Sequence, residues 1–217
     1  PHITALRRKL NYAAATLYRI RDGLPPHLRK DLYHTLYESH MSYCISVWGG
    51  SALYKTARLW ISQKQCLRML FGDKEAFLDK FRTAARARPI TNQLLGEDFY
   101  RREHTKPLFN EHKILAFRNL YAYHSYMDLY KILKLRDPIT IHEQFTISHR
   151  KPTLLINDFP ADNFISRYVK LWNTITPRLK LTDYSCKIST IKNRLKASLL
   201  KLQNMENPVT WTTDDFN

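Results

Sequence analysis

Carboxylates come first, because two-metal phosphoryl or nucleotidyl transfer needs several of them converging on cations about 4 Å apart. The adjacent aspartates are Asp214-Asp215, in the run Thr212-Thr213-Asp214-Asp215-Phe216-Asn217. A catalytic pair of that kind sits on a tight hairpin inside a buried sheet, and little chain follows to complete one. The pair therefore reads as a solvated acidic terminus. Glu97, Asp98, Glu103 and Glu111 are the remaining candidates for a helical hydrolase or nuclease, but no spacing among them supports that chemistry. Nine histidines raise the question of a metal. No CxxC, HxxxH or HExxH spacing occurs. His27, His34 and His40 stand six or seven residues apart on or beside one helix, where they cannot converge on one zinc ion unaided. They read as surface or interface histidines. No GxSxG elbow is present, and no cysteine has an obvious catalytic partner. The phosphate-cradling loops GxxxxGK[ST] and GxGxxG are missing as well. The expectation is a chain with no catalytic residue, no metal ligand and no cofactor of its own.

What remains is a pattern of basic and aromatic residues. Arg and Lys neutralise phosphates, while Tyr and Trp stack on bases or sugars. The candidates are Arg7, Arg8, Tyr12 and Arg19 on one face of the first helix, Lys64 and Arg68 on the third, and the cluster Arg82, Arg86 and Arg88. Thirty-five Lys+Arg against nineteen Asp+Glu give 35 − 19 = +16. For any single residue the rival reading is a solvated charged face, with the tyrosines in the core. The collective excess instead implies attraction to polyanions.

These residues need helices to position them. Ile3, Leu6, Leu10, Ala13, Leu17, Ile20 and Leu24 recur at alternating steps of three and four, the stripe of a helix that Gly23 and Pro25-Pro26 stop. Arg7, Arg8, Tyr12 and Arg19 fall on its other side. A second helix is predicted from Leu28 to Cys44, with Leu28, Leu32, Leu36, Tyr33, Tyr37 and Met41 inward and Gly49-Gly50 as a turn after it. A third is predicted from Leu53 to Phe71, with Leu59, Cys66, Leu67 and Leu70 inward, Lys55, Arg58, Lys64 and Arg68 outward, and Gly72 as its stop. Three helices with short turns make a compact bundle over residues 1–72. Residues 73–107 read as a short helix, a basic loop and a linker. A very apolar helix from Glu111 to Leu135 is expected to be the core of a second helical unit over 108–203. Thr153–Ile156 reads as a short strand. Phe164–Thr174 reads as a helix stopped by Pro177, and Ile188–Gln203 as the last helix, with Lys187, Lys192, Arg194, Lys196 and Lys201 outward. Residues 204–217 read as a loose polar tail. The fold class expected is all-α: a helical bundle followed by a second mostly helical unit, with one short strand.

Aromatic residues at 12% and hydrophobic residues at 44% place the chain among folded proteins. Cys44, Cys66 and Cys186 are too sparse for a disulfide framework, which favours a reducing intracellular compartment, nuclear or cytoplasmic. No apolar run approaches the ~20 residues of a membrane span, and no signal peptide is visible. The opening Pro1-His2-Ile3 suggests a fragment entered in mid-protein.

Several short motifs in order carry a resemblance. They are His2-Ile3, Lys9-Leu10, Arg19-Ile20-Arg21, Leu24-Pro25, Leu32-Tyr33, Leu36-Tyr37 and Tyr43-Cys44-Ile45-Ser46-Val47-Trp48-Gly49. Further along come Phe117-Arg118-Asn119-Leu120-Tyr121, Leu171-Trp172-Asn173 and Ile191-Lys192-Asn193-Arg194-Leu195-Lys196. The series resembles the stretch after the palm in reverse transcriptases of jockey-like non-LTR retrotransposons, and it covers most of the chain. The resemblance implies a helical thumb lying against a template–primer duplex, followed by a region that helps bind RNA or target DNA. It places Arg7, Arg8, Arg19 and Arg21 on or near the duplex-facing side, and gives Tyr43, Trp48 and Trp172 packing roles. The palm aspartates, the endonuclease domain and the terminal zinc knuckle of related elements are not in this sequence. The parent enzyme would be an RNA-directed DNA polymerase using Mg, and the palm of the same polyprotein would be a partner.

The functional expectation is non-catalytic binding of RNA, DNA or RNA–DNA hybrid through phosphates. The rival is a helical protein-interaction or structural module whose apolar stripes seek partner helices.

Overall fold

A computed structural model describes residues 2–51, 53–72, 105–147, 153–156, 163–179 and 186–204. The described residues are mostly helical with one pair of short strands, an all-α fold. They form two compact units: Pro1–Tyr43 with Ser51–Phe117, and Cys44–Gly50 with Arg118–Asn217.

In the first unit, α1 (His2–Ile20) buries Leu6, Leu10, Ala13, Ala14 and Leu17, the stripe set by the three-and-four spacing. A 3-10 turn, Arg21–Gly23, ends it. Pro26 then opens α2 (Pro26–Leu32) from an extended Pro25, a position where the missing N–H has no helical partner to lose. The helix expected to run unbroken to Cys44 is composite. A π segment, Tyr33–Glu38, separates α2 from α3 (Ser39–Ser42). Residues four apart share a face there much as they do in an α-helix. Tyr33, Tyr37 and Met41 are accordingly all fully buried. The rings of Tyr33 and Tyr37 stack at 5.4 Å.

Helix α5 (Leu53–Phe71) has the bounds its sequence predicts, with Leu59, Cys66, Leu67 and Leu70 buried. Each such side chain contributes roughly 1.5–3 kcal/mol by leaving water. The helix packs against α1. Some of the polar side chains buried with it are hydrogen-bonded, Tyr37 with Ser62 and Gln63 with Tyr33. The Tyr37 hydroxyl donates to Ser62 Oγ at 2.9 Å, and Gln63 Nε2 donates to the Tyr33 hydroxyl and the Leu115 carbonyl, each at 3.0 Å. Burial pushes the Tyr33 and Tyr37 phenols and the Cys66 thiol well above their ordinary ranges.

The helix expected from Glu111 to Leu135 is broken. Between α6 (Lys106–Glu111) and α7 (Phe117–Leu135), Lys113 adopts φ 53°. Ile114 N–H donates to the Phe109 carbonyl at 2.9 Å and Lys113 N–H to the Asn110 carbonyl at 3.1 Å. That is a Schellman cap with lysine at the left-handed position. The cap turns 105–117 back onto the first unit, where Phe109 stacks on Trp60 at 5.3 Å and His112 on Phe71 at 3.7 Å. These residues therefore group with the bundle and not with the unit expected from 108 onward. Residues 73–104 and 205–217 lie outside the described ones.

The second unit holds α4 (Ile45–Trp48), α7 from Arg118, α8 (Ile139–His142), β1 (Phe145–Ile147), β2 (Leu154–Ile156), α9 (Phe164–Leu179) and α10 (Ile188–Asn204). Strand β2 falls where the sequence predicts one and pairs antiparallel with β1, Thr146 opposite Leu155. Asn173 braces it: Leu154 N–H donates to Oδ1 at 2.8 Å, and Nδ2 donates to the Leu154 carbonyl at 3.0 Å. Trp172 stacks on Tyr126 at 4.4 Å in the core. Pro177, expected to stop α9, lies inside it. A proline there removes the N–H that would bond the carbonyl four residues back, and only two residues of the helix follow it. Gly49 and Gly50 press against Tyr121, and Arg167 donates to the Gly50 carbonyl at 3.0 Å and the Val47 carbonyl at 3.3 Å. Trp48 and Trp172 are buried, and Tyr43 is exposed.

Candidate nucleic-acid interface

The buried stripe of α1 fixes what its other side presents. Arg8, Tyr12, Ala15 and Arg19 follow one another at steps of four, three and four, along a line opposite Leu6, Leu10, Ala13 and Leu17. All four are exposed, Tyr12 at 79%. At 1.5 Å of rise per residue, Arg8 and Arg19 are about 16 Å apart along the axis, with Tyr12 between them. Arg7 and Lys9 are exposed beside the line. No Asp or Glu occurs anywhere in His2–Ile20. The next acid in the chain, Asp22, sits 3.3 Å from the Arg21 guanidinium. The face therefore sets positive charge around an aromatic ring, with no acid of its own helix to offset it.

The other candidates fare differently. Arg21 does not join the face: it is 7% exposed, and its guanidinium donates to the carbonyls of Met69 and, at 3.2 Å, Gly72. The 3-10 turn after α1 swings it inward, where it caps the C-terminus of α5. Arg29 does the same for the Leu70 carbonyl at 3.3 Å. Lys64 was expected outward and is 9% exposed, its ammonium 5.0 Å from the Trp60 ring centroid. A cation desolvated over indole is stabilised by the ring, which accounts for its place in the core. Arg68 is half-buried; its Nη2 donates to Thr105 Oγ1 at 3.4 Å, and burial lowers its pKa. Arg82, Arg86 and Arg88 lie outside the described residues.

No family model, curated protein or solved structure matches this chain.

Lys9 is the exposed cation of this face that reasoning from residue types left out. The signal available was the acid-free run itself, which makes every cation in α1 count. Helices α5, α9 and α10 are also free of Asp and Glu. On α10, in the second unit, Lys192, Arg194 and Lys201 are exposed as expected, Lys196 less so. Of the histidines considered for a metal, His34 Nδ1 lies 3.1 Å from Glu38 Oε1, and His27 and His40 are exposed. Among the described residues no helix is long and apolar enough to cross a membrane. Of the acids considered for hydrolysis, Glu111 is exposed, while Glu97, Asp98 and Glu103 lie outside the described residues.

Proposed function

We propose that this chain binds nucleic acid through its phosphates without catalysing, as the thumb and C-terminal portion of a retrotransposon RNA-directed DNA polymerase. The ligand is RNA, DNA or an RNA–DNA hybrid inside the cell, and the palm of the parent polymerase is the protein partner. The nucleotidyl-transfer chemistry and its Mg belong to that palm. The observation that carries the reading is the α1 face, where Arg8 and Arg19 flank exposed Tyr12 and no acid of that helix offsets them. A helix of this kind serves polyanions, because each phosphate neutralised releases condensed counterions. The order of motifs around Tyr43–Gly49 adds the retroelement part of the reading. Binding of the purified chain to a fluorescent RNA–DNA hybrid across a salt series tests it. Affinity that falls steeply with salt and is indifferent to sequence supports it; no binding at low salt overturns it.

The interaction-module reading draws on Ile20, Leu28 and Leu36, apolar residues of the first unit that each remain more than a third exposed. Salt-insensitive binding together with self-association would favour it.

A further inference from the structure

We infer that the α1 face takes an unpaired stretch of nucleic acid, with one base lying on Tyr12 between phosphates held by Arg8 and Arg19. The inference rests on the phosphate-binding reading above and narrows its ligand to a single strand.

Side chains three and four residues away are the neighbours of Tyr12 on the helix surface. Toward the N-terminus these are Arg8 and Lys9, both exposed cations. Toward the C-terminus they are Ala15 and Thr16. Ala15 offers only a methyl, and the Thr16 hydroxyl is turned down, donating to the Tyr12 carbonyl at 3.1 Å. Helical aromatic side chains lean toward the N-terminus. By that rule the ring leans toward the cationic turn, and the helix neighbours on its other side are the small Ala15 and Thr16.

Exposure decides the ligand class. Tyr12 is left 79% in water, and among its helix-surface neighbours Arg8, Lys9, Ala15 and Thr16 only the Ala15 methyl is apolar. Base–tyrosine stacking needs an accessible π face, which an unpaired base has and a base inside a duplex lacks. Single strands are held by this combination of cations tracking the backbone and an aromatic ring between them. A duplex would use the arginines and leave the ring idle.

The test uses the full chain and two probes: a short RNA carrying one central 2-aminopurine, and the same RNA annealed to complementary DNA. Wild type is expected to bind the single strand more tightly and to quench the 2-aminopurine. Tyr12→Ala, a surface change, is expected to weaken single-strand binding about tenfold and abolish the quench, while hybrid binding and salt dependence stay unchanged. Tyr12→Trp is expected to retain both. Single-strand affinity and quench unchanged in Tyr12→Ala, with salt dependence intact, would overturn this inference and leave the phosphate reading standing. Equal losses on both probes would overturn it too. Failure of wild type to bind either probe at low salt would sink both.

Discussion

The guanidinium of Arg21 caps the carbonyl of Gly72 across 3.2 Å, tying the end of α1 to the end of α5. Terminal carbonyls of a helix have no partner within it, and a buried cation supplies one. Replacing Arg21 with Ala leaves those carbonyls uncapped. The expected cost is about 2–3 kcal/mol in denaturant unfolding. The variant should bind nucleic acid with unchanged salt dependence. A reduced salt dependence at unchanged stability would instead return Arg21 to the binding face.

Lys113 holds a left-handed conformation, φ 53°, at the cap between α6 and α7. A side chain there meets the backbone carbonyl, and glycine avoids the contact. Lys113→Gly is expected to raise stability by about 0.5–1 kcal/mol, read as a higher denaturation midpoint. A loss of stability would mean that the lysine side chain makes up for the strain.

Much of this architecture was legible in the residues. The alternation of three and four from Leu6 to Leu17 gave both faces of α1, and the run from Leu53 to Gly72 gave α5 to the residue. The break at 112–116 was not, because lysine stands where glycine ordinarily announces a cap. The π segment was hidden because Tyr33, Tyr37 and Met41, four apart, fit an ordinary helix equally well. Arg21 and Lys64 show the larger limit. Residue type says that a cation is present; only the packing around it says whether it meets solvent or caps a buried helix end. The α1 face was legible because the buried stripe of one helix fixes its opposite side.

Gly49 lies where a Cβ would come within 2.5 Å of the Ile45 carbonyl oxygen and 2.6 Å of the Tyr121 ring. Neither neighbour retreats freely, the first being backbone. Gly49→Ala is expected to destabilise the second unit by about 1–3 kcal/mol, visible as an earlier thermal transition with a weakened near-ultraviolet aromatic signal. Wild-type melting would show that the turn has slack the packing does not reveal.

His112 stacks on Phe71 at 3.7 Å. Burial lowers its pKa below the ordinary 6.5; Glu111 pulls it partly back up, and Lys30 adds a smaller push downward. The folded state thus favours neutral imidazole, so the unfolded chain takes up the proton first as pH falls. The stabilising contribution of His112 is present above the unfolded pKa near 6.5 and is lost as pH drops below it. Denaturation midpoints measured from neutral to mildly acidic pH should fall less in His112→Phe than in wild type. Equal falls would assign the acid sensitivity to other groups.

The most direct test of the phosphate-binding account is the salt dependence of binding in an Arg8→Ala, Arg19→Ala double variant. Both residues are exposed on α1 and neither supports the core, so the fold should be retained. The plot of log affinity against log salt for an RNA–DNA hybrid should become shallower by about two, close to one for each phosphate contact removed. An unchanged slope would contradict the account and place the nucleic-acid contacts, if any, elsewhere on the chain.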